Sequence, residues 1–208
     1  MEEQEITTTN VPYKSNYSLG IVYTVFILIS VAGYVITLFS LYGGCVSGIG
    51  SLVSFILMMV WFYRSHKNLQ SFNTMGLKYS PGWAVGSWFI PILNLFRPFQ
   101  ITHEIWTASD PEASTVSWKQ GKYSPVTIAW WISNLVYYGL SLASSISAVS
   151  QAASLASGGS MTAAQSSTPT IPILVSYIVY CLLSISVVNL INDRQDSKAE
   201  SLNLVLGS

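Results

Sequence analysis

The sequence predicts an all-α, polytopic integral membrane protein: four transmembrane helices in two hairpins, with a proline-broken re-entrant or interfacial helix between them. Three observations carry that prediction. The nine Lys/Arg and nine Asp/Glu of the 208 residues fall in three patches, residues 2–14, 64–122 and 193–200. Residues 15–63 and 123–192 carry no charge at all, and every charged side chain left in a bilayer core costs several kcal/mol. Half of the residues are apolar, 13% are aromatic and only 9% are charged, a composition unlike that of a soluble domain.

Residues 1–18 form an acidic N-terminal tail with Glu2, Glu3 and Glu5. A secretory signal peptide needs a basic start and a short apolar stretch, so the first helix is expected to be retained. Residues 19–63 form hairpin one. A hydrocarbon core about 30 Å thick takes roughly 20 helical residues at about 1.5 Å each, so this run is long enough to cross twice. The reversal is expected at Tyr42-Gly43-Gly44-Cys45, between spans Leu19–Leu41 and Val46–Tyr63, with Gly48 and Gly50 permitting close helix approach. Residues 126–192 form hairpin two, with passes at Val126–Ala153 and Ile171–Ile191 joined by a Ser/Gly/Ala/Thr-rich connector. Residues 193–208 form a C-terminal tail. Cys45 and Cys181 are expected at different depths and therefore not bridged.

Residues 64–125 form an insertion in which Arg64, Lys67, Lys78, Arg97, Lys119 and Lys122 outnumber Glu104, Asp110 and Glu112. The positive-inside tendency places it in the cytoplasm, with both chain ends, and puts every charge on one side of the membrane. Within it, residues 83–106 are apolar enough to suggest a fifth span. Only thirteen residues, Ala84 to Phe96, precede Arg97-Pro98, and Pro91 and Pro98 each remove a helical hydrogen bond. The re-entrant or interfacial reading is therefore preferred, with five spans as the alternative.

This segment also carries a resemblance. The runs WFYRSHKNLQSF, SPGWAVGSWFIPILNLFRPFQITHEIWTASDPE and AWWISNLV, from Trp61 to Val136, resemble the bacterial membrane family catalogued as domain of unknown function 4328, and Val188 to Gln195 follows it more loosely. Thr107 departs from the pattern, standing where a basic residue is common beside the tryptophan. The resemblance implies a multi-pass membrane protein of the bacterial cytoplasmic membrane and supplies no activity.

Candidate binding residues come from helical spacing. If the chain is helical through Leu93–Trp106, then Asn94, Arg97, Ile101 and Glu104 share a face, as do Trp61, Arg64 and Asn68 at the end of span two. Together with Trp83 and Trp106, these faces are expected to meet near the headgroup level. Arg64 and Arg97 offer planar forks for a lipid phosphate or for Glu104. The competing readings are snorkelling anchors for Arg64 and Lys67, a structural Arg97–Glu104 pair, and an interfacial belt formed by Trp83, Trp88, Trp106, Trp118, Trp130 and Trp131.

His66 and His103 have no Cys partner and no carboxylate placed behind them, so no metal is expected. No nucleophile elbow, phosphate loop or paired carboxylate occurs, and no ionisable residue lies in a span, so neither an enzyme, a pump nor a cofactor is expected. A net charge of zero gives no nucleic-acid surface. The expected function is a non-catalytic interaction module that binds anionic lipid headgroups, a protein partner or a second copy of itself at its cytoplasmic face. The alternative is a passive transporter or oligomeric channel lined by Ser141, Ser144, Ser145, Ser147 and Ser150.

Overall fold

The computed structural model describes residues 11–40, 42–157 and 170–204, and among them the chain is helical without strands. The α-helices are α1 (Tyr17–Ile36), α2 (Tyr42–Ser71), α3 (Pro81–Gly86), α4 (Arg97–Ala108), α5 (Pro125–Ala156) and α6 (Thr170–Ser201). Four of them, α1, α2, α5 and α6, are long and apolar enough to cross a membrane. Their outward residues are apolar: Ile21, Val25 and Leu28 on α1, Ile49 and Leu52 on α2, Leu142 and Ile146 on α5, Val175 and Leu182 on α6. The inward face of α1 consists of Gly20, Tyr23, Ile27, Ser30 and Gly33 at three- to four-residue spacing, all but Ile27 small or hydroxyl-bearing.

The reversal of the first hairpin lies earlier than Tyr42–Cys45. Thr37 to Ser40 make the turn, and Gly43 and Gly44 already belong to the first turn of α2. The glycines serve helix contact. A methyl at Gly33 would overlap the Ser47 backbone, one at Gly43 would overlap Thr37, and one at Gly50 would stand 2.8 Å from the Ser30 nitrogen. Gly48, by contrast, meets nothing within 4 Å. Close backbone approach is how apolar helices gain van der Waals contact without a hydrophobic drive between them. Cys45 is exposed, Cys181 buried, and both are free thiols.

The later helices run longer than their apolar lengths require. α2 continues past Tyr63 to Ser71, and α6 past Ile191 to Ser201. Both extensions keep helical burial: Ser65, His66, Asn68 and Leu69 on α2, and Ile191, Asn192, Gln195, Lys198 and Ala199 on α6. The tryptophans correct the belt reading. Trp88, Trp118, Trp130 and Trp131 are buried, Trp106 is half-buried, and of the six only Trp83 is exposed. They fill the core between helices, where Trp130 Nε1 donates to Ser184 Oγ at 2.9 Å and Trp118 Nε1 to the Met75 carbonyl at 3.0 Å.

Prolines break the segment between the hairpins. Ser80 caps α3 by accepting from the Trp83 nitrogen at 3.3 Å, with Pro81 in the first turn. Ile90, which precedes Pro91, is extended at φ −101° and ψ 110°, as the proline ring demands. Short 3₁₀ turns at Ser87–Phe89 and Leu93–Leu95 flank it, and α4 starts at Arg97 with Pro98 in its first turn. The longest unbroken piece, α4, has 12 residues, about 18 Å at about 1.5 Å each, too short for a core about 30 Å thick. Among the described residues four helices are of spanning length, and none of them falls within residues 83–106.

The glycine contacts predict opposite signs at neighbouring positions. Gly33→Ala should lower the thermal midpoint of the detergent-purified protein, by about 1–3 kcal/mol of overpacking. Gly48→Ala should raise it slightly, since alanine is favoured over glycine by about 0.5–1 kcal/mol inside a helix.

Candidate functional site

The site is organised by one carboxylate. α4 presents Arg97, Ile101 and Glu104 along one stripe, and the Asn73–Ser80 loop folds across its Glu104 end. Glu104 is 5% exposed and accepts three hydrogen bonds: from the Lys78 nitrogen at 2.7 Å, from the Tyr79 nitrogen at 3.3 Å, and from His66 Nε2 at 3.0 Å. An ionised carboxylate can only accept, so Nε2 carries the hydrogen of this contact. His66 is wholly buried, and its Nδ1 has no partner among the described residues. This corrects two expectations. Glu104 pairs with His66 and not with Arg97, and His66 does have a carboxylate beside it. No group of three or more His, Cys, Asp or Glu that could hold a metal forms among the described residues.

Arg97 is thereby left without an acidic partner among the described residues. Its Nη1 donates to the Tyr79 hydroxyl at 2.9 Å, and that hydroxyl donates to Gln100 Oε1 at 2.6 Å. The guanidinium lies 5.2 Å from the Tyr79 ring centre and 5.9 Å from that of Phe96, within cation–π range. It faces a cavity of about 270 Å³ lined also by Lys78, Trp83, Ser87 and Leu93, with no carboxylate in its wall. Trp83, half exposed, closes one side.

Tyr79 and Lys78 also border a second cavity, of about 440 Å³, whose wall includes His103, Lys119, Tyr123 and Glu104. His103 stacks on Tyr123 with ring centres 3.7 Å apart. Burial pushes the His103 pKa below its usual value, opposed by the Glu104 carboxylate, so this imidazole is neutral at pH 7. Lys119 reaches the cavity by crossing Gly76, which sits at φ +69° and where any Cβ would strike the ammonium. The charges facing the paired cavities are thus Lys78, Arg97 and Lys119, against one carboxylate that already accepts three bonds.

The other expected residues lie elsewhere. Asn94 belongs to the 3₁₀ turn before α4 and not to its face, because Phe96 at φ −144° breaks the helix; its Oδ1 is buried without a partner among the described residues. Trp106 supports Arg194, whose guanidinium sits 4.0 Å from a Trp106 ring centre and pairs with Asp110 at 2.6 Å. Arg64 and Asn68 do not join the Arg97 face; they fasten the segment before α1. Asn68 exchanges bonds with the Lys14 backbone at 2.9 and 3.3 Å and donates to Gln195 at 3.0 Å, while Arg64 donates to the Ser15 carbonyl at 2.9 Å. Asn192 accepts from Trp61 Nε1 at 2.8 Å, and the Lys198 ammonium, almost fully buried, donates to the Ala108 and Ala113 carbonyls at 2.8 and 3.2 Å.

Lys78, Tyr79, Lys119 and His66 were missed as site residues. Tyr79 had a readable signal, since it directly precedes the Ser80-Pro81-Gly82-Trp83 string; the others had none, because a loop fold brings them in.

A family model described as Domain of unknown function (DUF4328) matches residues 30–193. No curated protein and no solved structure matches the chain.

Because Glu104 joins α2, the loop and α4, Glu104→Ala should destabilise the protein by at least about 3 kcal/mol, since it leaves three donors without their acceptor at about 1–3 kcal/mol each. Glu104→Gln, which keeps one acceptor oxygen, should cost less. Thermal unfolding in detergent reads both, and equal midpoints for Glu104→Ala and the parent protein would contradict the role given to this carboxylate.

Proposed function

The chain belongs to the DUF4328 family, and we propose that it is a non-catalytic multi-pass membrane protein that binds anionic lipid headgroups through Arg97, Lys78 and Lys119. One observation carries this reading: Glu104 is turned inward to His66 and the loop backbone, so among the described residues the Arg97 cavity has two cations, an exposed tryptophan and no acid. Arginine held by an aromatic hydroxyl keeps most of its five donors for a ligand, and its planar fork matches phosphate. Trp83 suits the interfacial depth at which a headgroup lies.

Membrane insertion through α1, α2, α5 and α6 is supported by their length and outward apolar faces. In this reading α3, α4 and the turns between them lie at the cytoplasmic interface, the polar ends of α2 and α6 lie beside them, and both termini are cytoplasmic by the excess of Lys and Arg in residues 64–122. Conduction along the serine face of α5 is less well supported. Ser145, Ser147 and Ser150 donate to carbonyls of their own helix at 2.8–2.9 Å, which leaves few free hydroxyl hydrogens to line a path.

Two outcomes are expected. Protein purified in neutral detergent should retain short-chain phosphatidylglycerol over phosphatidylcholine. Arg97→Ala should weaken that retention roughly five- to tenfold, at about 1 kcal/mol per basic residue, without loss of membrane insertion; unchanged retention would remove the proposal. In intact cells, with Cys45 and Cys181 replaced, an impermeant thiol reagent should label a cysteine placed at Ser160, outside the described residues, and leave one at Ser114 unlabelled. Labelling at Ser114 would overturn the orientation.

A further inference from the structure

A cavity of about 190 Å³ lies where all four long helices and the Ser87–Phe89 turn converge, walled by five tyrosines, Tyr23, Tyr137, Tyr138, Tyr177 and Tyr180, together with Ser51, Phe55 and Trp88. We propose that it is a second ligand site, independent of the headgroup reading, for a neutral single-ring compound bearing carbonyl oxygens, that is, one of the quinone class.

Size, charge and hydrogen bonding each narrow the ligand. The volume is close to that of an apolar cavity of about 150 Å³ that takes up benzene, and below the roughly 300 Å³ at which sites for drug-sized molecules begin. That volume matches a single ring. Among the described residues no Lys, Arg, His, Asp or Glu lines the wall, so a charged guest would lie there unpaired at a cost of several kcal/mol. The surrounding rings already engage one another at aromatic distances. Tyr137 lies 5.1 Å from Tyr177 and 6.0 Å from Tyr180, nearly parallel to the latter, while Phe55 meets Trp88 edge-on at 6.3 Å. A guest ring extends these stacked and edge-to-face contacts.

The hydroxyl relay decides the polar part of the guest. Ser30 donates to the Ile27 carbonyl at 2.7 Å, which leaves its oxygen to accept from the Tyr177 hydroxyl, also at 2.7 Å. With the Tyr177 hydrogen so engaged, the 3.1 Å contact with Ser51 has Ser51 as donor. That bond is the longer of the two, and Ser51 is the residue whose hydrogen can turn to a guest. The wall therefore offers hydroxyl hydrogens, and the complementary guest offers acceptors and no charge. Quinone carbonyls on a flat ring meet both demands.

The test uses the full chain in neutral detergent and tetramethylbenzoquinone (duroquinone) as probe. Trp88 stands in the wall, so occupancy is read as quenching of tryptophan fluorescence. The expected result is saturable quenching, weakened at least about tenfold in Ser51→Leu, which fills the space and removes the donor, and about threefold in Tyr138→Phe, at the scale of one neutral hydrogen bond. Tyr138 is 40% exposed, so this second variant tests the site where Ser51→Leu fails to fold. Durene, the hydrocarbon of the same shape, should displace duroquinone and relieve the quenching only with a dissociation constant at least about fivefold weaker than that of duroquinone. Quenching that rises linearly without a plateau in the parent protein, or equal affinity in every folded variant, would overturn the site, and equal displacement by durene would overturn its assignment to carbonyl compounds. Phosphatidylglycerol retention should be unchanged in Tyr138→Phe, so failure here and failure of the headgroup reading are separately visible.

Discussion

The Glu104 carboxylate is the joint on which the polar end of this molecule depends. A buried carboxylate is tolerated only when its oxygens are saturated with donors, and here the donors come from α2 through His66 and from the loop backbone at Lys78 and Tyr79. Meeting that requirement pins α4 against α2 and draws the loop over it. It also removes the acid that Arg97 would otherwise meet on its own helix, seven residues and about two turns further along the same stripe. The cationic character of the neighbouring cavities is thus a consequence of how a negative charge was buried.

Around that joint the polar residues form a continuous set of bonds rather than isolated contacts. Asn68, Asn192, Gln195 and Lys198 tie the segment before α1, the ends of α2 and α6 and the close of α4 to one another. Each of these side chains is nearly or fully buried, so each bond also satisfies a group that would be destabilising if left alone. At the other end, contact between α1 and α2 relies on glycine and serine, and the partners are backbone atoms. The molecule has a polar, hydrogen-bonded end and an apolar end held by close approach.

The aromatic residues divide along the same line. Trp61, Trp118 and Trp130 each place an indole N–H on a protein acceptor, which lets a large ring be buried without loss. Trp83 stays exposed beside Arg97. Five of the twelve tyrosines gather instead around the central cavity, where the Ser30–Tyr177–Ser51 relay holds one ring fixed.

The sequence by itself determined the number and place of the long helices, because the cost of a charge in an apolar stretch depends on residue type alone and can be read without knowing any neighbour. The prolines likewise marked where the segment between the hairpins breaks, since Pro91 and Pro98 act on their own and adjacent backbone. Arg97, Trp83 and Glu104 were legible as candidates by chemistry and spacing. What only the tertiary structure decided was which groups pair. Glu104 and His66 are 38 residues apart and Asn68 and Gln195 are 127 apart, and nothing in either local pattern names the other. The same holds for the first hairpin, where glycines suited to a turn serve helix contact, and for tryptophans suited to an interface that fill the core. Helix formation is local, and the choice of partner for a buried polar group or ring belongs to the packing of the whole chain.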